Sequence, residues 1–496
     1  MRESGILLPI SSLPSQYGIG CFSKEAYEFV DQLALANQKY WQILPLGPTS
    51  YGDSPYQSFS TYAGNPYFID LNTLIEEGVL TKKECNLADF GSDSRFIDYG
   101  KLYKARYKLL RKAYERSNIS QNPEFQTFQE ENAWWLDDYS LFMAVKGFFQ
   151  DECWDKWPED IKKRYGYALD YYREQLYFEV EFQKYMQFEF SIQWKKLKTY
   201  ANENGIRIIG DIPIYVAYDS ADTWAHPELF QLDEENVPLA VAGCPPDGFA
   251  ADGQLWGNPL YRWDYHRQTG YAWWMQRLSY AFYLYDVVRI DHFRGFDEYF
   301  SIPYGDTTAR NGHWEKGPGI ELFHRMKEVL GERDVIAEDL GYVTDSVRQM
   351  VFESRFPGMK VFEFAFDSRD TGCAGDYLPH NYPVNSVVYT GTHDNATLIG
   401  WYQDIPKEGR EMLRDYIHDY TTSDRSLHWS VICRIMGSPA RICMILMQDY
   451  LGLDNTCRIN TPSTLGTNWK WRLLDGEFTS DLQNKIRKLV RIYQRN

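Results

Sequence analysis

Short apolar runs recur along the chain, and each is followed by residues typical of turns. The eight runs cover residues 5–10, 40–44, 206–211, 286–291, 334–338, 359–364, 386–389 and 442–447. They are almost continuously apolar, which is typical of parallel strands that are covered on both faces. The pattern therefore predicts eight buried parallel strands.

Helical patterns separate these strands. Apolar residues spaced for one helix face cover 26–33, where Ser23 is placed to cap the helix. A second apolar stripe runs from Phe190 to Tyr200 and stops at Gly205, where glycine typically ends a helix. Further stripes cover 275–285, 322–330 and 482–493. Eight strands that alternate with helices predict an α/β fold, a (β/α)8 TIM barrel.

Two gaps between the predicted strands are too long for ordinary crossovers. We expect one (β/α)8 catalytic domain over 1–496, with a mostly helical insertion subdomain at 45–205 after the second strand. A second insertion, at 213–285 after the third strand, is rich in Gly, Pro, Asp and Trp. In barrel enzymes, excursions at the carboxyl ends of strands form the walls of the active site.

Composition narrows the classes of function. The 496 residues include 52 Lys and Arg against 69 Asp and Glu, a formal net charge of −17, which argues against nucleic acid and anionic membrane surfaces as partners. No run of about 18 apolar residues occurs, and the short apolar start does not resemble a signal peptide. The eight scattered cysteines are typical of reduced thiols. These features predict a cytoplasmic protein.

Acidic residues stand at the ends of five of the predicted strands. They are Asp211, Asp291, Glu338, Asp394 and Asp449. Acids are depleted within strands, and bringing several like charges together is costly. Helix capping explains one or two of them but not the set. The strand ends meet at the rim where barrel enzymes carry their chemistry, so we expect an active site there.

Converging carboxylates together with 17% aromatic residues favour glycosyl transfer. This chemistry needs a carboxylic acid that protonates the leaving oxygen and a carboxylate that attacks the sugar or activates water. Phosphate-binding, dinucleotide-binding, zinc-protease and serine-hydrolase motifs are absent from the sequence. A metal site on His292, His313 or His393 and a cysteine nucleophile stay open as alternatives, although no ligand spacing favours the metal.

Several motifs follow one another along nearly the whole chain. They are SLPS (12–15), YGIG (17–20), DSPYQS (53–58), AGNPY (63–67), GDIPIYV (210–216), PPDGF (245–249), GQ (253–254), WGNP (256–259), RIDHFRG (289–295), AEDLG (337–341) and GTHDN (391–395). With these motifs, the chain resembles the 4-α-glucanotransferases, or amylomaltases and disproportionating enzymes, of glycoside hydrolase family 77. These are relatives of the α-amylase superfamily.

The resemblance implies a retaining mechanism and a role for each catalytic acid. Asp291 corresponds to the nucleophile, which the guanidinium of Arg289 would keep ionised. Glu338 corresponds to the acid/base, and Asp339 after it should point to the opposite side of the strand. Asp394, together with His393, would hold sugar hydroxyls more tightly in the transition state than in the ground state.

The resemblance also implies a set of substrate-binding residues. They are Tyr56, Asp211, Asp247, Gln254, Trp256, Arg289, His393 and Asn460. Tyr56 and Asp211 would shape the subsite of the transferred glucose. A cleft loop at 245–259, around Trp256, would exclude water. The implied donors are maltooligosaccharides, amylose, starch and glycogen, the acceptors include glucose, and we expect no metal or other cofactor. An α-glucan hydrolase and a catalytically silent glucan-binding or scaffold protein stay as alternatives.

Two positions depart from the family pattern. The segment 462–464 has Pro-Ser-Thr where family members usually have Pro-Gly-Thr, so we expect Ser463 to affect a backbone conformation that glycine adopts easily. Ala250 stands where the cleft loop often has serine. Neither position is a catalytic acid, so we expect any effect to fall on the choice of acceptor.

Overall fold

The computed structural model describes residues 2–246, 251–341, 343–366 and 374–496. Within these ranges, eight parallel strands close into a barrel in the order β1-β12-β11-β10-β9-β6-β3-β2. The barrel strands are β1 (Glu3–Leu7), β2 (Tyr40–Gln42), β3 (Arg207–Pro213), β6 (Val287–Asp291), β9 (Val335–Ala337), β10 (Gly358–Val361), β11 (Ser386–Tyr389) and β12 (Ile442–Leu446). Each lies on one of the predicted apolar runs, so the predicted (β/α)8 barrel is confirmed.

Helices cover the outside of the barrel and fill the first long gap. In the described ranges they are α1 (Lys24–Leu35), α2 (Leu71–Glu76), α3 (Lys82–Leu87), α4 (Tyr99–Ser117), α5 (Pro123–Phe148), α6 (Glu159–Lys162), α7 (Gly166–Gln175), α8 (Tyr177–Glu203), α9 (Ala221–Ala225), α10 (Trp263–Gln268), α11 (Ala272–Leu284), α12 (Glu321–Leu330), α13 (Asp345–Ser354), α14 (Leu398–Asp404), α15 (Lys407–Ile417), α16 (Leu427–Met436), α17 (Met447–Leu451) and α18 (Ser480–Tyr493).

A second, antiparallel sheet lies beside the barrel. It pairs β4 (Ala240–Cys244) and β5 (Gln254–Pro259) with β7 (Glu298–Pro303) and β8 (His313–Lys316), in the order β5-β4-β7-β8. The strands β4 and β5 precede β6 in the chain, and β7 and β8 follow it. This sheet therefore joins segments from both sides of a barrel strand, an association that the apolar pattern did not predict.

Local details agree with most of the predicted helix and strand ends. Gly205 follows α8 with a φ of 75°, a left-handed conformation that glycine adopts without strain. Ser23 is the N-cap residue of α1, but its hydroxyl donates to the Glu25 side chain at 2.5 Å and makes no capping bond to the helix backbone. The predicted strand at 359–364 is shorter than expected, because the chain turns into a 3-10 helix at Phe362.

Besides a small apolar cluster around Phe300 in the antiparallel sheet, two large apolar clusters stabilise the described part of the chain. The larger one contains the barrel interior and the helices packed on it, and every residue of β12 is buried there because the strand is covered on both faces. The smaller one lies within the helical segment between β2 and β3 and is rich in tryptophan, including Trp135, Trp154 and Trp157, with Trp224 of α9 packed against them. None of the described helices is both long enough and apolar enough to cross a membrane.

Candidate active site

The register of three neighbouring strands brings four charged residues to one end of the barrel. Asp211 on β3 pairs with Arg289 on β6, and Asp291 stands two residues further along β6. Ile290 pairs with Ala337 of β9, so Glu338 comes level with Asp291 on the adjacent strand. Because alternate residues of a strand share a face, Arg289 and Asp291 point to the same side. The ends of β3, β6 and β9 therefore meet in one charged centre.

Arg289 forms ion pairs with the carboxylates on either side of it. Its Nη1 lies 2.6 Å from Asp211 Oδ2 and 3.0 Å from Asp291 Oδ1. The Arg289 side chain is 4% exposed and that of Asp211 is 0% exposed, whereas that of Asp291 is 29% exposed. Such buried charges need partners in contact. The guanidinium of Arg289 supplies this partner for both carboxylates and leaves the Asp291 side chain partly exposed.

Two backbone N–H groups orient the Glu338 carboxyl. Its Oε2 accepts a hydrogen bond from the N–H of His292 at 2.7 Å, and its Oε1 accepts one from the N–H of Leu340 at 3.0 Å. His292 directly follows Asp291 and has a φ of 52°, a left-handed conformation that is uncommon for histidine. The strained turn after Asp291 thus aims a donor at the carboxyl on the neighbouring strand.

Burial and charge separate the pKa values of these acids. Burial raises the pKa of Asp291 to about 6, against the lowering effect of Arg289. Burial and the charge of Asp291 raise the pKa of Glu338 to about 7, against the lowering effect of Arg289 and the two backbone N–H groups. Two carboxyl groups with separated pKa values can act as a base or nucleophile and as a proton donor at the same pH.

A third carboxylate, Asp394, lies in the loop after β11. Its Oδ2 is 3.3 Å from His393 Nε2, and its Oδ1 accepts a hydrogen bond from Asn460 Nδ2 at 2.6 Å. Burial raises the pKa of Asp394, but His393 and Asn460 outweigh it and lower the pKa to about 2. Asp394 is therefore ionised whenever Asp291 is, and its side chain is 44% exposed.

Tyr56 connects the first long segment to the charged centre. Its hydroxyl donates to Asp211 Oδ2 at 2.7 Å, and its ring stacks on the His393 ring with centroids 5.0 Å apart. Burial raises the pKa of Tyr56 well above its usual value, so the phenol keeps its proton.

On β3, the ring of Tyr285 packs against Gly210, where a Cβ atom would lie 2.1 Å from that ring. The residue before Asp211 therefore has to be glycine.

The predicted cleft residues lie beside this centre. The Trp256 ring meets the His292 ring edge-on at 4.8 Å, and its Nε1 donates to Gln254 Oε1 at 3.1 Å. The structure thus brings Gln254 and Trp256 next to the turn that orients Glu338. Two predictions, the binding residue Asp247 and the departure at Ala250, lie outside the described residues.

One acid of the predicted rim set is turned away from the site. Asp449 is fully buried, and its carboxylate accepts hydrogen bonds from Thr390 Oγ1 at 2.5 Å and from the N–H of Leu398 at 2.7 Å. Because α17 begins at Met447, directly after β12, Asp449 lies on a helix turn and not on the extended strand. The prediction that it belongs to the rim carboxylates is wrong. Asp339 also points away, accepting from the Met359 N–H at 2.7 Å.

Some neighbours of the acids were not assigned from the sequence. Arg458 Nη2 donates to the Asp394 carbonyl at 2.5 Å, which joins the segment of Asn460 to the loop after β11. The Trp469 ring lies 5.9 Å from Tyr56 and 6.0 Å from His393. Neither residue belongs to the motifs used above, so only distances in the folded chain reveal them. Ser463 adopts a φ of 63°, the conformation that glycine would favour.

We searched the described part of the chain for side chains arranged as metal ligands. No group of three or more His, Cys, Asp or Glu side chains there is arranged to hold an ion. The charged centre has the guanidinium of Arg289 between the carboxylates of Asp211 and Asp291. The arrangement fits acid/base and nucleophilic chemistry on a neutral substrate.

Comparison with known proteins gives a consistent result. The family model described as 4-alpha-glucanotransferase matches residues 8–477. The 4-alpha-glucanotransferase of Clostridium butyricum is 50% identical over 98% of this chain and 99% of its own, and that of Thermus thermophilus is 45% identical over 100% and 99%. The solved amylomaltase of Streptococcus agalactiae in complex with acarbose has a TM-score of 0.96 and 40% identity, covering 100% of both chains.

These matches cover the whole barrel and the segments around it, and they favour transferase activity over the hydrolase alternative. The acids at the rim are those that a glycosyl-transferring enzyme needs. This chain therefore belongs to the 4-alpha-glucanotransferase family.

Proposed function

We propose that the chain moves segments of α-1,4-glucan from a donor chain to the 4-hydroxyl of an acceptor glucan or glucose, by a retaining double displacement. The observation that supports it best is the pair Asp291 and Glu338. They end adjacent strands at the same level, and the charge of Asp291 raises the pKa of Glu338, which favours a proton on Glu338 while Asp291 is ionised.

In the first step, Asp291 attacks the anomeric carbon of the donor, and Glu338 donates its proton to the departing 4-oxygen. The glycosidic bond breaks, the shortened donor leaves, and a β-glucosyl ester joins the sugar to Asp291. Asp211 cannot replace Asp291 in this step, because its side chain is 0% exposed. Asp291 is the partner whose carboxylate reaches the cleft.

In the second step, the ionised Glu338 removes the proton from the 4-hydroxyl of the acceptor. The acceptor oxygen attacks the anomeric carbon from the face that the first leaving group vacated, and the Asp291 carboxylate departs. Two inversions restore the α configuration, and Glu338 regains its proton. The N–H groups of His292 and Leu340 hold Glu338 in one orientation for both transfers.

We infer that Asp394, His393 and Tyr56 bind the sugar whose bond is broken. The low pKa of Asp394 keeps a negative charge beside the ring, which carries positive charge in the oxocarbenium-like transition state. Asn460 and Arg458 hold the loop of Asp394 from its other side. Gln254, Trp256 and Asp247 are proposed to bind the donor or acceptor further along the cleft.

We propose that the segments 45–205 and 213–285 act as insertion subdomains that form the walls of the cleft. Tyr56 reaches the centre from the first, and Trp256 from the second. A wall that excludes water around the ester favours an acceptor hydroxyl over hydrolysis. We also propose a cytoplasmic location, which agrees with the buried free thiols of Cys21, Cys85 and Cys443.

The test is product analysis of the purified protein with pure maltotriose. We expect a series of longer maltooligosaccharides together with free glucose, and no net gain in reducing ends. A rise in reducing ends without longer products would assign water as the acceptor and contradict the proposed transfer, while leaving the catalytic acids in place.

A second measurement separates catalysis from mere binding. We expect maltotriose to raise the melting temperature of the Asp291→Asn variant, which keeps the cleft but cannot form the ester. The wild type should turn the sugar over under the same conditions. Equal stabilisation of both proteins with no product from either would favour the silent glucan-binding alternative.

A further inference from the structure

A single buried carboxylate holds both ends of the loop that carries His393 and Asp394. This loop, residues 391–397, follows β11 and ends where α14 begins. Asp449 Oδ2 accepts from the Thr390 hydroxyl just before the loop, at 2.5 Å. Its Oδ1 accepts from the Leu398 N–H just after the loop, at 2.7 Å.

The position of Asp449 is itself rigidly defined. It lies in the first turn after β12, which pairs with β11 in the barrel, and both it and Thr390 are 0% exposed. Burial raises the pKa of Asp449 to about 6, against the two hydrogen bonds, so the carboxylate is ionised at neutral pH. A buried charge costs free energy that these two short bonds offset. An acid at this place therefore has a specific role beyond filling space.

We propose that Asp449 is a positioning residue for the transfer reaction. By fixing the spacing between Thr390 and Leu398, it sets where His393 and Asp394 stand relative to Asp291. The inference rests on the proposed function, since it matters only if Asp394 and His393 contact the reacting sugar. Asp449 itself does not touch the substrate.

The other anchors of the loop act at different points. Asn455 Oδ1 accepts from the Thr397 N–H at 3.1 Å, and the Asn460 N–H donates to the His393 carbonyl at 3.1 Å. Within the loop, Asn395 Oδ1 accepts from the Thr392 N–H at 2.8 Å. These bonds keep the loop folded, whereas Asp449 ties its two ends to each other. Loss of Asp449 should therefore move the loop without unfolding it.

The test compares kcat and KM for maltotriose in variants at Asp449. We expect Asp449→Ala to lower kcat by about 10- to 100-fold, because small misplacements of groups that act in the transition state have effects of this size. KM should change by less than about threefold, since Asp394 is assigned to the transition state more than to the ground state.

The Asp449→Asn variant provides a rescue. Its amide oxygen can accept from the Leu398 N–H, and its NH2 can donate to Thr390 Oγ1, because a hydroxyl both donates and accepts. Both ends of the loop stay tied, so we expect kcat within about threefold of the wild type. If Asp449→Ala does not fold, Thr390→Val with Thr390→Ser as its rescue tests the same connection.

Asp70→Ala is the matched control. Asp70 is also a nearly buried carboxylate that accepts from two backbone N–H groups at a helix start, those of Asn72 and Thr73, each at 3.1 Å. The Asp70→Ala variant should lower the melting temperature about as much as Asp449→Ala does, while its kcat stays at the wild-type value. An unchanged kcat in Asp449→Ala, or an equal loss of kcat in the Asn and Ala variants, would overturn the inference. A wild-type protein that does not transfer glucan would instead overturn the proposed function.

Discussion

Replacement of Glu338 by Gln tests the assignment of the acid/base most directly. The amide keeps the size of the side chain but holds no transferable proton. Glu338 accepts from two backbone N–H groups, those of His292 and Leu340, with separate oxygens. An amide has one oxygen, so one N–H loses its acceptor and the free energy of unfolding should fall by about 1 kcal/mol. The variant should therefore fold.

The expected loss of activity follows from the proton and from the pKa values. Without general acid catalysis, kcat for maltotriose should fall by at least ~100-fold. In the proposed mechanism, the active form has Asp291 ionised and Glu338 protonated, so kcat/KM should peak between the pKa values of about 6 and about 7. At pH 8.5, about 3% of Glu338 is protonated with a pKa of about 7, so activity should be about 20-fold below its maximum.

The assay uses two donors. Maltotriose needs a proton on its leaving oxygen, whereas fluoride leaves α-maltosyl fluoride without one. We expect Glu338→Gln to lose turnover of maltotriose, to lose the alkaline limb of the pH profile, and to release fluoride in the first turnover at a rate near that of the wild type.

The adjacent acid serves as the control. Asp339 accepts from the Met359 N–H on the other side of the strand, so Asp339→Asn should keep the rate and the pH profile of the wild type. Normal turnover of maltotriose by Glu338→Gln, or an alkaline limb that persists in it, would refute the assignment of Glu338.

Three further predictions concern other parts of the structure. Asn460→Ala removes the 2.6 Å hydrogen bond to Asp394 and should lower kcat about tenfold, which steady-state kinetics on maltotriose would measure. Ser463→Gly relieves a φ of 63° and should raise the free energy of unfolding by up to about 1 kcal/mol, whereas Thr464→Gly next to it should lower it. Burial raises the pKa of Glu189 to about 8, so its contribution to stability is complete below its unfolded pKa and is lost as pH rises through about 8. Between pH 6 and pH 9, the melting temperature of Glu189→Gln should therefore fall by about 2 °C less than that of the wild type.

The barrel could be predicted from the sequence because its strands are covered on both faces. Such strands need nearly continuous apolar residues, and the chain has eight such runs separated by helical stripes. The same reasoning fails for the antiparallel sheet. Its strand β8 has exposed and half-buried residues throughout, so no apolar run marks it. The pairing between β4 and β7 is also non-local, and no sequence pattern in either segment predicts it.

The sequence predicted those residues of the candidate site whose position follows from the register of the barrel strands. Strand ends meet at one rim, so Asp211, Asp291 and Glu338 could be placed together from their positions alone. Asp449 looked equivalent in sequence, yet the chain enters a helix two residues before it and the side chain turns inwards. A single helical turn thus turns an acid from the rim of the barrel into the core. The spacing of residues in the sequence does not predict where such a turn begins.

The antiparallel sheet has a consequence for dividing or redesigning this chain. Its two halves are separated in sequence by the segment that contains α10, α11 and β6, which carries Asp291. Deleting residues 213–285 would expose the edge of β7, because β4 pairs along it, and an uncovered edge invites association with other chains. A smaller enzyme or a graft of the cleft wall would therefore have to transfer both halves together. The antiparallel sheet and the strand of Asp291 therefore have to be kept together as one unit of the chain.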